Sequence, residues 1–231
     1  MIAQPDHNVN ARILLASASP RRRELITLLG LPVEIASADI DETPRMGESA
    51  HDLAIRLSYE KALAAARSFK IPPSAFRVIL ASDTVVSLDG ESLGKPRNAE
   101  EARSILRRLR NRTHQVFTAI TLIDIPRHRV LTDLASTDVP MRNYSDVEIE
   151  DYIASGDPFD KAGAYAIQHN GFHPVEQLSG CFANVMGLPL CHVTRSLRAL
   201  GIELATDVPA ACQAHIDYAC PVFTRILQRS L

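Results

Sequence analysis

The sequence predicts a mixed α/β fold, a twisted sheet flanked by helices, forming one domain with two lobes around a deep cleft. Three observations predict it. Short apolar strands alternate with helical patterns in the first part of the chain, the signature of helices packed on a sheet. Two long strand-like segments, 116–125 and 130–139, then follow each other directly and read as an antiparallel pair. The apolar fraction of 46% in 231 residues is enough to bury one sizeable core without disulfides or metals as staples.

The elements follow in order. Ile13 to Ala16 is a short buried strand. Ser19-Pro20 opens a helix, because serine caps free amides and proline suits the first helical position. That helix runs through Leu25 to Leu29, and Gly30 and Pro32 stop it. Val33 to Ala36 is a second strand, and Asp39 to Pro44 an acidic loop. Ser49 with Asp52 reads as a capping box for a helix reaching about Ser68. Val78 to Ala81 is a buried strand that runs into Ser82-Asp83-Thr84. Val85 to Leu88, Asp89-Gly90 and Glu91 to Leu93 carry a hairpin signal. Asn98 caps a helix to about Arg110, and the two long strands pair through a turn near Pro126. Ser145 and Glu148 form another capping box, for a helix ending at Gly156. A loop rich in charge and glycine spans Asp157 to Gly171, and Pro189 opens a last clear helix that closes at Gly201. Residues 1–12 are expected to be a loose N-terminal segment, and 202–231 an extension whose structure the pattern does not define.

Composition narrows the function. With 25 basic and 27 acidic residues the net charge is −2, without the basic excess that neutralises a nucleic-acid backbone. No apolar run approaches the length that crosses a bilayer, and the polar start, without Lys or Arg, lacks a signal-peptide pattern, so the cytoplasm is the expected compartment. None of the four cysteines forms a C-x-x-C pair. Cys212 and Cys220, with His215 between them, leave a small metal site or a disulfide open, while free thiols in a reducing compartment are the simpler reading.

Five segments carry chemistry. Ser17-Ala18-Ser19-Pro20-Arg21-Arg22 places two hydroxyls and two guanidiniums at a helix start, where free amides and the helix dipole favour phosphate. It also reads as a capped helix with solvated arginines. Asp39-Ile40-Asp41-Glu42-Thr43 offers hard oxygen donors for Mg²⁺, or is a solvated acidic loop. In Leu80-Ala81-Ser82-Asp83-Thr84-Val85-Val86 a single carboxylate interrupts an apolar strand. Burying it alone is costly, so Asp83 is a general base, a metal ligand or a cap of the next turn. Gly94-Lys95-Pro96 holds a lysine in a defined loop, and Lys61 lies within the second helix; each reaches a phosphate or is merely exposed. Asp160-Lys161-Ala162-Gly163-Ala164-Tyr165-Ala166-Ile167-Gln168 combines small residues, opposite charges and an amide suited to a nucleobase edge, or is a structural loop.

In order along the chain these segments resemble the Maf family of nucleotide pyrophosphatases. Arg112-Thr113-His114 and Asn184-Val185-Met186-Gly187-Leu188-Pro189 extend the match, which spans about Ile13 to Leu200. The resemblance implies a two-lobed fold, a homodimer, and hydrolysis of a nucleoside triphosphate between the α and β phosphates with Mg²⁺ or Mn²⁺. It implies Asp83 as proton acceptor, and Arg21, Thr84 and Gln168 as determinants of base choice in the branch acting on dTTP and UTP. Glu42, Lys61, Lys95 and Asp160 match further cleft residues. The expected division of work is metal on Glu42 and Asp83, with Ser17, Ser19, Arg21, Arg22, Lys61, Lys95 and Lys161 toward the substrate. Alternatives are a pyrophosphatase for methylated-guanine or deaminated purine nucleotides, and a non-enzymatic nucleotide-binding regulator of septum formation. One departure stands out. Where the family runs Gly-Ile-Gln-Gly, this chain runs Ala166-Ile167-Gln168-His169, and a positive φ at the last position would strain His169.

Overall fold

The computed structural model describes residues 11–37, 39–68 and 76–229. Most of the expected loose N-terminal segment, residues 1–10, lies outside them. Its last two positions do not fit that expectation: Ala11 is buried in the core, and the Arg12 carbonyl accepts the amides of Arg77 and Val78.

One mixed sheet organises the chain in the order β2-β1-β3-β5-β6. Strand β1 (Ile13–Ala16) lies parallel to β2 (Val33–Ala36) and to the first half of β3 (Val78–Leu88). Strands β5 (Thr113–Asp124) and β6 (Arg129–Pro140) are the expected long antiparallel pair, with β5 running against almost all of β3. The short β4 (Glu91–Leu93) folds back on the far end of β3 through Asp89-Gly90.

The helices are α1 (Pro20–Ile26), α2 (Ala50–Ser68), α3 (Ala99–Leu109), α4 (Asp146–Ala154), α5 (Phe182–Met186), α6 (Leu190–Ala199), α7 (Val208–Ile216) and α8 (Phe223–Gln228). Helix α1 is shorter than its apolar pattern: it tightens into a 3₁₀ turn at Thr27–Leu29, and Gly30, at φ 68°, ends it. The Ser145–Glu148 capping box of α4 forms in both directions.

Alternation along β3 explains the two lobes. Val78 and Leu80 pack with Leu25, Val193 and Leu197 under α1 and α6. Farther along on the same face, Val86 and Leu88 join a separate cluster with Leu106 of α3 and Ile149 of α4. On the opposite face, Ile79 and Ala81 meet Ala62 and Ala65 of α2, and Val85 meets Leu53 and Leu57. On its first face the strand thus joins two cores, and the seam between them crosses it near its middle.

The extension after residue 201 is not irregular. Asp207 caps α7 by accepting the amide of Ala210, and Val208 and Cys212 complete the first core. Its pattern was hard to read because both helices are short and α7 is apolar on most sides. Among the described residues no helix is long and apolar enough to cross a membrane.

Candidate active site

The seam on β3 is also a gap in the sheet. Strand β1 ends opposite Ala81 and β4 ends opposite Val86, so Ser82 to Val85 have no neighbouring strand on that edge. A cavity of ≈ 430 Å³ opens there, of the size that holds a small-molecule ligand. Its walls come from the start of α1, the Glu42 loop, α2, the Gly94-Lys95 loop, and the segment from Asp160 to Gln168.

Asp83 sits in this gap and is only 6% exposed. Lys61, one face of α2 away, donates to Asp83 Oδ1 at 2.5 Å and to Glu42 Oε1 at 2.5 Å. One ammonium therefore joins both carboxylates. Burial pushes the Asp83 carboxyl above its ordinary range, and the positive charges of Lys61 and Arg22 only partly offset this. Glu42 shifts the other way: burial acts against its charge, but the Lys61 hydrogen bond and charge, with Lys95 and Arg22, hold it below the usual range. Two neighbouring carboxylates with opposed shifts suit different tasks, proton acceptance for Asp83 and permanent negative charge for Glu42.

Arg22 departs from its expected use. Its guanidinium donates to Gly187 O at 2.8 Å, Ser82 O at 2.7 Å and Thr84 Oγ1 at 3.0 Å. It takes over from β1 where that strand stops, and ties the bare edge of β3 to the end of α5. Burial lowers its pKa, with Asp83 acting in the opposite direction. Thr84 also pairs with Thr118 at 3.0 Å, so its hydroxyl is engaged inside the protein although the residue lines the cavity. Ser19 lines the cavity and caps α1, accepting the Arg22 amide at 3.5 Å. Ser17 does not reach the cavity wall: it is buried, and its hydroxyl accepts the Ser19 amide at 3.2 Å. Its hydroxyl supports the turn that presents Ser19.

On the opposite wall Asp160 faces Arg21 across the opening at 3.6 Å. Lys161 lines the same wall. Its ammonium donates to Asp157 O at 2.6 Å, Asp157 Oδ1 at 2.9 Å and Asp160 Oδ1 at 2.5 Å. An ammonium has three protons and no acceptor, so these three contacts engage all of its donors. Its charge holds the loop in place. Gln168 lines the cavity as expected, and Lys95 stands exposed at its rim. His169 is unstrained, for the left-handed residues of this loop are Gly163 and Ala164. Its ring accepts the Phe172 amide at 3.0 Å and packs edge-on against Tyr152 at 4.7 Å.

Sequence reasoning missed what supports the site. Asn184 is fully buried, its side-chain amide donating to Val116 O at 3.1 Å and Thr137 Oγ1 at 2.8 Å while its backbone carbonyl accepts the Thr118 hydroxyl. Gly187 sits at φ 105°, where a side chain would be strained, and a Cβ there would press on Thr84 and the Arg22 guanidinium. The Asn-Val-Met-Gly segment signalled this only as a motif without an assigned role. The apolar floor from Leu53, Leu57, Val85 and Met186 was also missed, because those residues read as ordinary core.

Five cations (Arg21, Arg22, Lys61, Lys95 and Lys161) thus surround three carboxylates (Glu42, Asp83 and Asp160) in one cavity. That excess suits an anionic ligand. Among the described residues no three His, Cys, Asp or Glu side chains converge as a self-sufficient metal site. Glu42 and Asp83 nevertheless fit a hard divalent ion, which takes one or two carboxylates from a protein and further oxygens from substrate phosphates. Both already share a single cation, the Lys61 ammonium.

The chain is similar to known proteins over most of its length. The protein called dTTP/UTP pyrophosphatase in Chromobacterium violaceum is 47% identical over 195 residues, covering 84% of this chain and 98% of that one. Proteins of the same name from Methylococcus capsulatus (45% identity, 84% and 93% covered) and Geobacter sp. strain M21 (43%, 83% and 97%) match comparably. The family model described as Maf-like protein matches residues 12–200, from the strand that opens the sheet to the end of α6. On that match, and on the cavity built at the gap in β3, the chain belongs to the Maf-like protein family.

Proposed function

We propose that this chain hydrolyses the α–β phosphoanhydride of dTTP or UTP, releasing the nucleoside monophosphate and pyrophosphate. The observation that carries the reading is Asp83, a buried carboxylate on an unpaired strand edge, facing a cavity with a cationic excess. The named activity of relatives 43–47% identical supports the choice of substrate.

In this reading Asp83 accepts the proton of the attacking water at its carboxylate. Its raised pKa makes it a stronger base than an exposed aspartate, and Lys61 keeps it oriented. Arg21, Lys61 and Lys95 offset the phosphate charge, which is highest as the leaving pyrophosphate forms. Ser19 presents the start of α1 to a phosphate oxygen. Arg22 holds the strand that carries Asp83. Gln168 reads the base edge from the far wall, with Arg21 and Thr84 bounding the same space. Glu42 and Asp83 would hold a Mg²⁺ or Mn²⁺ ion, which when bound supplies charge neutralisation to the phosphate oxygens. A homodimer in the cytoplasm, without a nucleic-acid or membrane partner, completes the proposal.

A panel of purified nucleoside triphosphates, assayed for pyrophosphate release, tests it. dTTP and UTP should lead by kcat/KM. A lead by a methylated-guanine nucleotide, or by inosine or xanthosine triphosphate, would move the chain to a purine reading. Binding without product would make it a nucleotide-binding regulator.

A further inference from the structure

All four cysteines of the chain, none of which the proposed reaction uses, meet at one place. Cys181 and Cys191 belong to the part matched by the family model, and Cys212 and Cys220 to the extension beyond it. All four line a pocket of only ≈ 10 Å³ between these two parts, room for about one water.

Cys181 and Cys220 are the pair the fold holds together. Tyr218, two residues before Cys220, donates its hydroxyl to Leu178 O and Gly180 O, each at 2.9 Å, and Gly180 precedes Cys181. The Tyr218 ring also packs on Phe182, the residue after Cys181, at 5.5 Å. The Cys220 amide donates to Gln213 Oε1 at 2.9 Å, which fixes the loop from the other side. Within this frame both side chains line the same small pocket. Cys181 is buried, whereas Cys220 is partly exposed and can be reached from solvent. Cys181 and the amides of Val222 and Phe223 lower the pKa of the Cys220 thiol, while Cys220 and burial raise that of Cys181.

We propose that Cys220 and Cys181 form an oxidation site, with Cys220 attacking a peroxide and Cys181 resolving the product into an intramolecular disulfide. The Cys220 thiolate attacks one peroxide oxygen, the O–O bond breaks, and the departing hydroxide leaves as water. Cys220 is then a sulfenic acid. Cys181 gives up its proton and attacks the Cys220 sulfur, the S–O bond breaks, and a second water leaves. Two thiols are oxidised and one peroxide is reduced to two waters. The product pins the extension to the turn that leads into α5, whose end anchors Arg22.

The test is independent of the proposed reaction because it reads mass rather than turnover. The full-length protein is treated with hydrogen peroxide near pH 7, the remaining thiols are alkylated, and the digest is mapped without reduction. A peptide linking Cys181 to Cys220 within one chain is expected, with Cys191 and Cys212 alkylated. In C181S, peroxide should instead leave a Cys220 sulfenic acid that dimedone traps, and C220S should give neither product. A Cys191–Cys212 link in preference, a link between two chains, or no link at a peroxide dose that oxidises the methionines would overturn the proposal. So would failure of dimedone to label Cys220 in a C181S protein whose circular dichroism matches the parent.

Discussion

Replacing Arg22 with alanine separates two uses of that side chain, holding the protein and holding the substrate. The truncation removes three hydrogen bonds from a charged donor, to Ser82 O, Thr84 Oγ1 and Gly187 O. The acceptors do not suffer equally. Gly187 O keeps the Ser82 hydroxyl at 2.9 Å, and Thr84 Oγ1 keeps Thr118 at 3.0 Å. Ser82 O lies where β1 has already ended, and Arg22 is what meets it. A buried acceptor left unpaired costs about 1–3 kcal/mol, and each bond lost from an acceptor that keeps a partner about 0.5–1.5 kcal/mol. Release of the buried guanidinium from its own desolvation acts the other way, so a net loss of about 2–4 kcal/mol is expected. With a urea slope of about 2–3 kcal/mol per molar, the unfolding midpoint should fall by roughly 1 M. Urea titrations followed by circular dichroism, alongside KM and kcat for dTTP, measure both uses. An unchanged midpoint with a large rise in KM would refute the clamp and return Arg22 to phosphate binding.

Other predictions follow from the same geometry. Asp83→Asn should fold and lose about 10²–10⁴-fold in kcat, the range of a removed general base, and turnover near that of the parent would dismiss the assignment. Because burial raises the Asp83 pKa, the acidic limb of kcat/KM should lie above the ordinary carboxylate range. The folded state binds this proton more tightly than the unfolded chain, so the stabilisation from protonated Asp83 is complete at low pH and is lost as pH rises through its folded value; Asp83→Asn should flatten that slope in pH-dependent unfolding. Chelation with EDTA should abolish pyrophosphate release, and Mg²⁺ or Mn²⁺ should restore it, whereas full activity in EDTA would remove the metal from the proposal. His169→Gly should cost about 1–3 kcal/mol through lost bonds to the Gly171 and Phe172 amides and a freer backbone, and should raise KM more than it lowers kcat.

What could be read in the sequence was whatever local chemistry writes locally. The strand-then-helix start, the Ser145–Glu148 box and the Asp89-Gly90 hairpin are signals confined to a few neighbouring residues, and each folds as it reads. Asp83, Glu42, Lys61, Arg21 and Gln168 could be nominated because a polar group in an apolar or compact setting needs a reason, and the cavity gathers all five. What could not be read was which partner each charged group finds. Arg22 looks like a phosphate ligand in one dimension, but the acceptors that engage it belong to a strand and a helix end whose proximity only the tertiary fold creates. The extension was opaque for a related reason: its anchors, Tyr218 on Gly180 and His215 on Glu24, are long-range pairs with no local trace.

The gap between β1 and β4 connects these findings. Had β1 continued past Ala16, its backbone would have satisfied Ser82 O and closed the edge on which Asp83 stands. The fold instead stops β1 at Ala16, turns the chain into α1, and returns a guanidinium from that helix to the carbonyl the strand no longer reaches. The same truncation therefore opens the cavity, leaves a carboxylate beside it, and requires a cationic side chain at that point. A neutral residue of similar size at position 22 could fill the volume but could not supply a donor to all three acceptors. Charge at the edge of the cavity is thus a structural requirement of the interrupted sheet before it is a property of substrate binding. For this reason Arg22→Lys should recover part of the stability lost in the alanine variant, because an ammonium still offers donors, but not the fixed fork that spans β3 and α5.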